Sequence, residues 1–228
     1  MAHAMCGRFS QAYTWEEVYA FSSGLTDARP AGAGNQQPRY NIAPTTDVQI
    51  IRRAADGGCE LIMARWGLVP GWWKKPLKGM PSTFNARVET VESAAMFREA
   101  FKKRRCIIPA SGFFEWTGPK ADRTPHYFTG RDGQILAFAG LWDRWKDESG
   151  IEIISCTIIV READEWTAKY HDRMPAMLHP EDFDAWLSGE GGKEFLQKPP
   201  RALREWIVDK RVNKSGVGDD DPETIKPV

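Results

Sequence analysis

Hydrophobic positions along this 228-residue chain gather in short runs separated by turn-forming residues. Seven runs are rich in β-branched and aromatic residues: 48–52 (VQIIR), 60–66 (ELIMARW), 106–110 (CIIPA), 112–116 (GFFEW), 126–130 (HYFTG), 135–142 (ILAFAGLW) and 152–160 (EIISCTIIV). Their length and composition predict strands. In SAAMFREAFKKR (93–104), Met96, Phe97, Ala100 and Phe101 recur at helical spacing and leave the basic residues on the other face. PEDFDAWLSG (180–189) has Pro180 near a first helical position, acids in the first turn and Gly189 as a stop. Thr14 and Glu17 have capping-box spacing and open a short helix through about Phe21. The Gly/Pro-rich stretch 23–39 reads as a loop. Strands outnumber helices and do not alternate with them, so the predicted class is α+β with mainly antiparallel sheets. No linker divides the chain, which predicts one domain, with residues 216–228 as a flexible tail.

Composition narrows the partners. No apolar run approaches the ~20 residues of a membrane span, and no signal peptide is visible, so the expected location is the cytoplasm. The opening MAHA before Met5 reads as a vector remnant. Cys6, Cys59, Cys106 and Cys156 are scattered without a CxxC pair, which argues against a zinc site or a disulfide framework; no metal or other cofactor is expected. Lys+Arg and Asp+Glu are 31 each, so bulk charge does not draw this chain to nucleic acid. The charge is uneven, however: KKPLK (74–78) and REAFKKRR (98–105) are basic, and DDDPE (219–223) is acidic. Ten tryptophans exceed what a core of this size demands, and some beside basic residues suit base stacking.

Four polar segments carry candidate chemistry. YNIAPT (40–45) places Asn41 before a proline turn, where it could equally bond its own turn backbone. STFNARVET (82–90) sets Asn85 and Arg87 two apart, on one face of a strand, with Glu89 as an alternative partner for Arg87. FFEW (113–116) embeds Glu115 among aromatics, where desolvation raises proton affinity unless an arginine pairs with it. YHDRMP (170–175) puts His171 two residues before Arg173, an acid/base beside a phosphate ligand or else a core or capping histidine. Cys6 is a nucleophile or a small buried hydrophobe, depending on what surrounds it.

The ordered series MCGRFS, YNIAPT, RWGLVPGW, NARVET, RRCIIPASGFFEW, AGLW, HDRMP and VN resembles the SRAP (SOS-response-associated peptidase) family, over about residues 5–222. The resemblance implies one compact α+β domain with a barrel-like core of mixed, mainly antiparallel strands and short flanking helices. It implies covalent capture of abasic sites in single-stranded DNA, through a thiazolidine made by the cysteine left after removal of the initiator Met. Cys6 matches that cysteine, and Asn41, Glu115 and His171 match other active-site positions. Asn85 and Arg87 match residues near DNA phosphates, with a DNA role extended to Arg8, Trp72, Trp73, Trp116 and Arg173. The expected partner is an abasic single strand, and the expected state a monomer without metal. With MAHAM ahead of Cys6 its nitrogen is an amide, so that form is expected not to cross-link. The rival readings are an N-terminal-nucleophile cysteine peptidase, including self-removal of a leader, and a non-covalent single-strand binding module.

Overall fold

The computed structural model describes residues 6–22, 25, 29–30 and 37–228. The leader and Met5, and most of the loop predicted at 23–39, lie outside the described residues. The described strands are β1 (Phe9–Gln11), β2 (Arg29–Pro30), β3 (Arg39–Ile42), β4 (Asp47–Arg53), β5 (Cys59–Trp66), β6 (Asn85–Arg87) and β7 (Arg105–Ala110). They continue with β8 (Gly112–Thr117), β9 (Thr124–Gly130), β10 (Leu136–Lys146), β11 (Glu152–Glu162), β12 (Arg173–Pro175) and β13 (Leu203–Ile207). The helices are α1 (Trp15–Ser22), α2 (Arg98–Lys103), α3 (Phe183–Ser188) and α4 (Glu194–Gln197).

Five long strands close on one another. β11 pairs with β10, β10 with β7, β7 with β4 and β4 with β5, all antiparallel, and a short parallel pairing of β5 with β11 completes the ring. This is the barrel-like core of the expected α+β domain. One side of these strands packs on helices, with Ile51, Ile107, Ala139 and Ile159 meeting Phe101, Phe183 and Trp186. The other side packs on a second, antiparallel sheet of order β13-β9-β8-β1-β3. Aromatic contacts tie the two sheets together: Phe9 meets Trp66 edge-on at 4.9 Å, and Phe113, stacked on its strand neighbour Phe128, meets Phe138 edge-on at 6.0 Å. Each fully buried aromatic contributes on the order of 2–3 kcal/mol.

All seven long strands form where the apolar runs predict them, and the capping box is made in both directions. The Thr14 N–H donates to Glu17 Oε2, and the Glu17 N–H donates to Thr14 Oγ1. Gly189 ends α3 at a φ of 82°. Two expectations need correction. The helix predicted over 93–104 is confined to Arg98–Lys103: before it, the Thr90 and Ala94 carbonyls each accept from the N–H groups three and four residues on, a run of turns with no regular α-helical ladder. Residues 216–228, expected as a flexible tail, instead pack against the sheet. Asp219 pairs with Arg39 and accepts from the Asn41 N–H, Thr224 is fully buried, and Pro227 bridges to Val208. The acidic run supplies partners for Arg39 and Arg211, and those ion pairs hold the segment down.

Candidate active site

β1 delivers Cys6 to the seam between the sheets. Phe9 pairs with Phe113, and the antiparallel register carries the chain back from Phe9 to Cys6 alongside Glu115 on β8. The Cys6 backbone N–H donates to Glu115 Oε1 at 3.0 Å, and both residues are buried. Burial pushes the Cys6 thiol well above its ordinary acidity range, and the nearby Glu115 carboxylate adds to the push. Burial also raises the Glu115 carboxyl far above the usual range; the Cys6 N–H opposes this, and the Asp172 charge adds to it. Among the described residues no arginine forms an ion pair with Glu115, and burial is the largest influence on it. Cys6 has a φ of 27°, in the left-handed region that few non-glycine residues enter.

The remaining candidates divide. Asn85, on β6, donates from Nδ2 to the Cys6 carbonyl at 3.3 Å, which places it beside Cys6. Asn41 lies elsewhere: its Oδ1 accepts from Arg8 Nη1 at 2.6 Å, and its Nδ2 donates to the Val217 and Lys214 carbonyls. Arg8 also donates to the Val212 carbonyl and to Ser215 Oγ, with its guanidinium 5.8 Å from the Trp116 ring. The Trp116 indole N–H in turn donates to Asn213 Oδ1. Arg8, Asn41 and Trp116 therefore grip the chain from 212 to 217.

His171 follows a 3-10 turn at Thr167–Lys169 and is mostly buried. Its Nδ1 accepts from the Arg173 N–H at 3.0 Å and lies 3.0 Å from Asp172 Oδ1. The first contact needs a bare Nδ1, and the second a protonated one. Tyr170, the residue before His171, packs its ring on His126 at 4.9 Å, and His126 lies opposite Glu115 in the β8–β9 ladder, which brings this turn to the border of the Cys6 site. Arg173 is paired with Glu89, the acid expected for Arg87, whereas Arg87 stands exposed at the end of β6. Trp72 and Trp73 pack against each other in a separate patch, where Trp72 borders a cleft of about 400 Å³ with Lys103, Arg104 and Arg144. All four cysteines are reduced and buried.

The model of the family described as SOS response associated peptidase (SRAP) matches residues 5–215. The chain belongs to the SRAP family. SRAP relatives include the abasic site processing protein YoaM of Bacillus subtilis, 33% identical over 85% of this chain and 84% of its own length. Another is the abasic site processing protein YedK of Escherichia coli, 34% identical over 83% of each chain. A solved protein from Bordetella bronchiseptica shares the SRAP fold at a TM-score of 0.77 and 28% identity, covering 90% of this chain and 100% of that one. Among the described residues no helix is long and apolar enough to cross a membrane.

One polar group near this SRAP site has no signature in the sequence. Thr117, His126, Tyr170 and Glu205 come from four separate segments and form a continuous hydrogen-bonded chain. Only the alternation of β8 and β9 hints at it, by setting Glu115 opposite His126.

Proposed function

We propose that this SRAP protein captures abasic sites in single-stranded DNA by forming a thiazolidine at Cys6. The observation that carries the reading is the buried contact of the Cys6 nitrogen with Glu115, closed on the other side by Asn85. Removal of the residues through Met5 converts that nitrogen from an amide to an α-amine with an ordinary pKa of about 7.7–8.0. The amine's protonated form is a cation against Glu115 and beside the thiol, and it draws both raised pKa values back down.

The neutral amine adds to the aldehyde carbon of the opened deoxyribose. Glu115 donates a proton to the departing hydroxyl, water leaves, and an imine remains. The Cys6 sulfur then adds to the imine carbon while its proton passes, through Glu115, to nitrogen. One C–N and one C–S bond form, one water is released, and nothing is oxidised or reduced. His171 protonates the sugar ring oxygen as the hemiacetal opens, and the same group serves the reverse step. Asn85 holds the Cys6 carbonyl so that nitrogen and sulfur face one carbon. Arg87, exposed on the same short strand, contacts a backbone phosphate.

A second reading, release of the leader by attack of the Cys6 thiol on the preceding carbonyl, with the C–N bond breaking to leave a free amine and a thioester that water then hydrolyses to a carboxylate and the thiol, draws support from the left-handed Cys6 backbone. The test of the main reading is intact mass spectrometry of a chain begun at Met5, with and without an abasic single strand. Loss of Met5 and one heat-stable adduct are expected. An undiminished stable adduct from Cys6→Ser would sink the reading, and equal retention of undamaged DNA would favour simple binding.

A further inference from the structure

The Thr117–His126–Glu205–Tyr170 chain lies against the site without belonging to it. Thr117 Oγ1 and His126 Nε2 are 2.8 Å apart, His126 Nδ1 and Glu205 Oε1 are 2.5 Å apart, and the Tyr170 hydroxyl donates to Glu205 Oε2 at 2.9 Å. One arrangement satisfies all three contacts: Thr117 donates to Nε2, Nδ1–H donates to Glu205, and the tyrosine donates to the second carboxylate oxygen. Tyr170 keeps its proton, because burial and the Glu205 hydrogen bond both raise its pKa. Its ring is boxed by His126 at 4.9 Å, Phe128 at 5.1 Å and Trp166 at 5.9 Å.

This chain touches both sides of the reacting corner. His126 sits directly opposite Glu115 in the β8–β9 ladder, so the two side chains share a sheet face. Tyr170 is the residue before His171, and the Tyr170 and His171 N–H groups both donate to the Thr167 carbonyl. The Ala168, Lys169, Tyr170 and His171 N–H groups close this turn, and the Arg173 N–H fixes the His171 ring within it, so the place of the ring follows that of the turn, which the Tyr170 hydroxyl pins to Glu205. Resting on the role given to His171 above, we propose that Glu205 is a positioning residue for this site: held by His126, it anchors the Tyr170 hydroxyl and so aims His171 at the sugar.

Tyr170→Phe tests this with the least disturbance, since it deletes one oxygen and leaves the boxed ring; Glu205→Gln removes the charge at nearly constant shape. Adduct formation and release are followed separately, in single turnovers, for the chain begun at Met5. Thermal unfolding of each variant checks the fold. Tyr170→Phe and Glu205→Gln are expected to slow the phase that His171→Ala slows, by about tenfold, short of the ~10² that a 1 Å misplacement can cost. Added to His171→Ala, Tyr170→Phe should cost nothing further in that phase. Parent-like rates for Tyr170→Phe beside a slow His171→Ala would overturn the positioning and leave His171 standing. A parent-like His171→Ala would overturn both. A full additional loss in the double variant would also overturn the proposal, by showing that Tyr170 acts through another group. If Glu205→Gln fails to fold, Tyr170→Phe alone decides.

Discussion

Cys6 and Arg8 are separated by one glycine, yet they belong to regions of opposite character. Around Arg8, the polar groups are held by many partners: the two guanidinium Nη atoms meet Asn41, Val212 and Ser215, and Asn41 meets Lys214, Val217 and Asp219, with only Arg8 Nε buried without a partner among the described residues of this cluster. Around Cys6, a thiol and a carboxyl are buried with their proton affinities raised, and no cation pairs with either among the described residues. The first region is a clamp that locks the C-terminal segment onto the sheet. The second holds groups in states that are costly there and become useful when a substrate arrives. Two asparagines and two arginines that look alike in sequence fall on either side of this divide, and each pair can test it.

The largest effects should come from the asparagines, and they should cross over. Asn41→Ala strips Arg8 of an acceptor and two carbonyls of their donor inside the fold, so it should destabilise the protein by about 2–3 kcal/mol. Asn85→Ala removes one long hydrogen bond and should cost about 1 kcal/mol or less. Capture should respond the other way: on the order of 10²-fold slower for Asn85→Ala, through misplacement of Cys6, and little changed per folded molecule for Asn41→Ala. Urea unfolding and single-turnover capture measure the two axes. Equal stability losses from the two substitutions would erase the distinction.

Glu115 gives a smaller effect with a definite sign. Burial, its dominant influence, raises the folded-state pKa above the unfolded one. Its contribution to stability is therefore complete below the unfolded carboxyl pKa and is lost as pH rises through the folded value. In the chain with an amide at Cys6, Glu115→Gln should match the parent near pH 4 and exceed it increasingly toward pH 8. In a chain that starts at Cys6, the ammonium offsets the burial, and the gap should shrink. Unfolding midpoints of both forms across pH provide the check; a gap that narrows as pH rises would contradict the burial argument.

What could be read in the sequence follows the length of the element. The seven strands heralded by apolar-rich runs of five to nine residues announced themselves, because a buried face repeated over that length leaves a pattern. β1, β6 and β12 have three residues each, too few for any period, and pairing with distant strands holds them in place. Those short strands carry or adjoin Cys6, Asn85, Arg87 and Arg173, so the motifs were visible while their meeting was not. The bond from Cys6 to Glu115 spans 109 positions. The tail was misread for a related reason: DDDPE is polar enough to be solvated, and only Arg39 and Arg211, brought in by the fold, turn it into a strap. Asn41 and Asn85 could not be ranked for want of the same long-range information.

The arginine pair is the finest probe of the divide. Arg8 is buried in the clamp, and its ordinary pKa is lowered by that burial, with Asp219 partly restoring it. Arg87 is exposed on β6. Arg87→Ala should leave stability within about 0.5 kcal/mol, as exposed substitutions usually do. If Arg87 meets one phosphate, the same substitution should weaken single-strand binding modestly and make the slope of log affinity against log salt shallower by about 0.7. Arg8→Ala should do the reverse, lowering the unfolding midpoint while leaving the salt slope of the folded fraction unchanged. Titrations of an undamaged single strand at several salt concentrations isolate this term from covalent capture. An unchanged slope for Arg87→Ala would remove Arg87 from the nucleic-acid path, and a shallower one for Arg8→Ala would mean that the clamp itself reaches the strand.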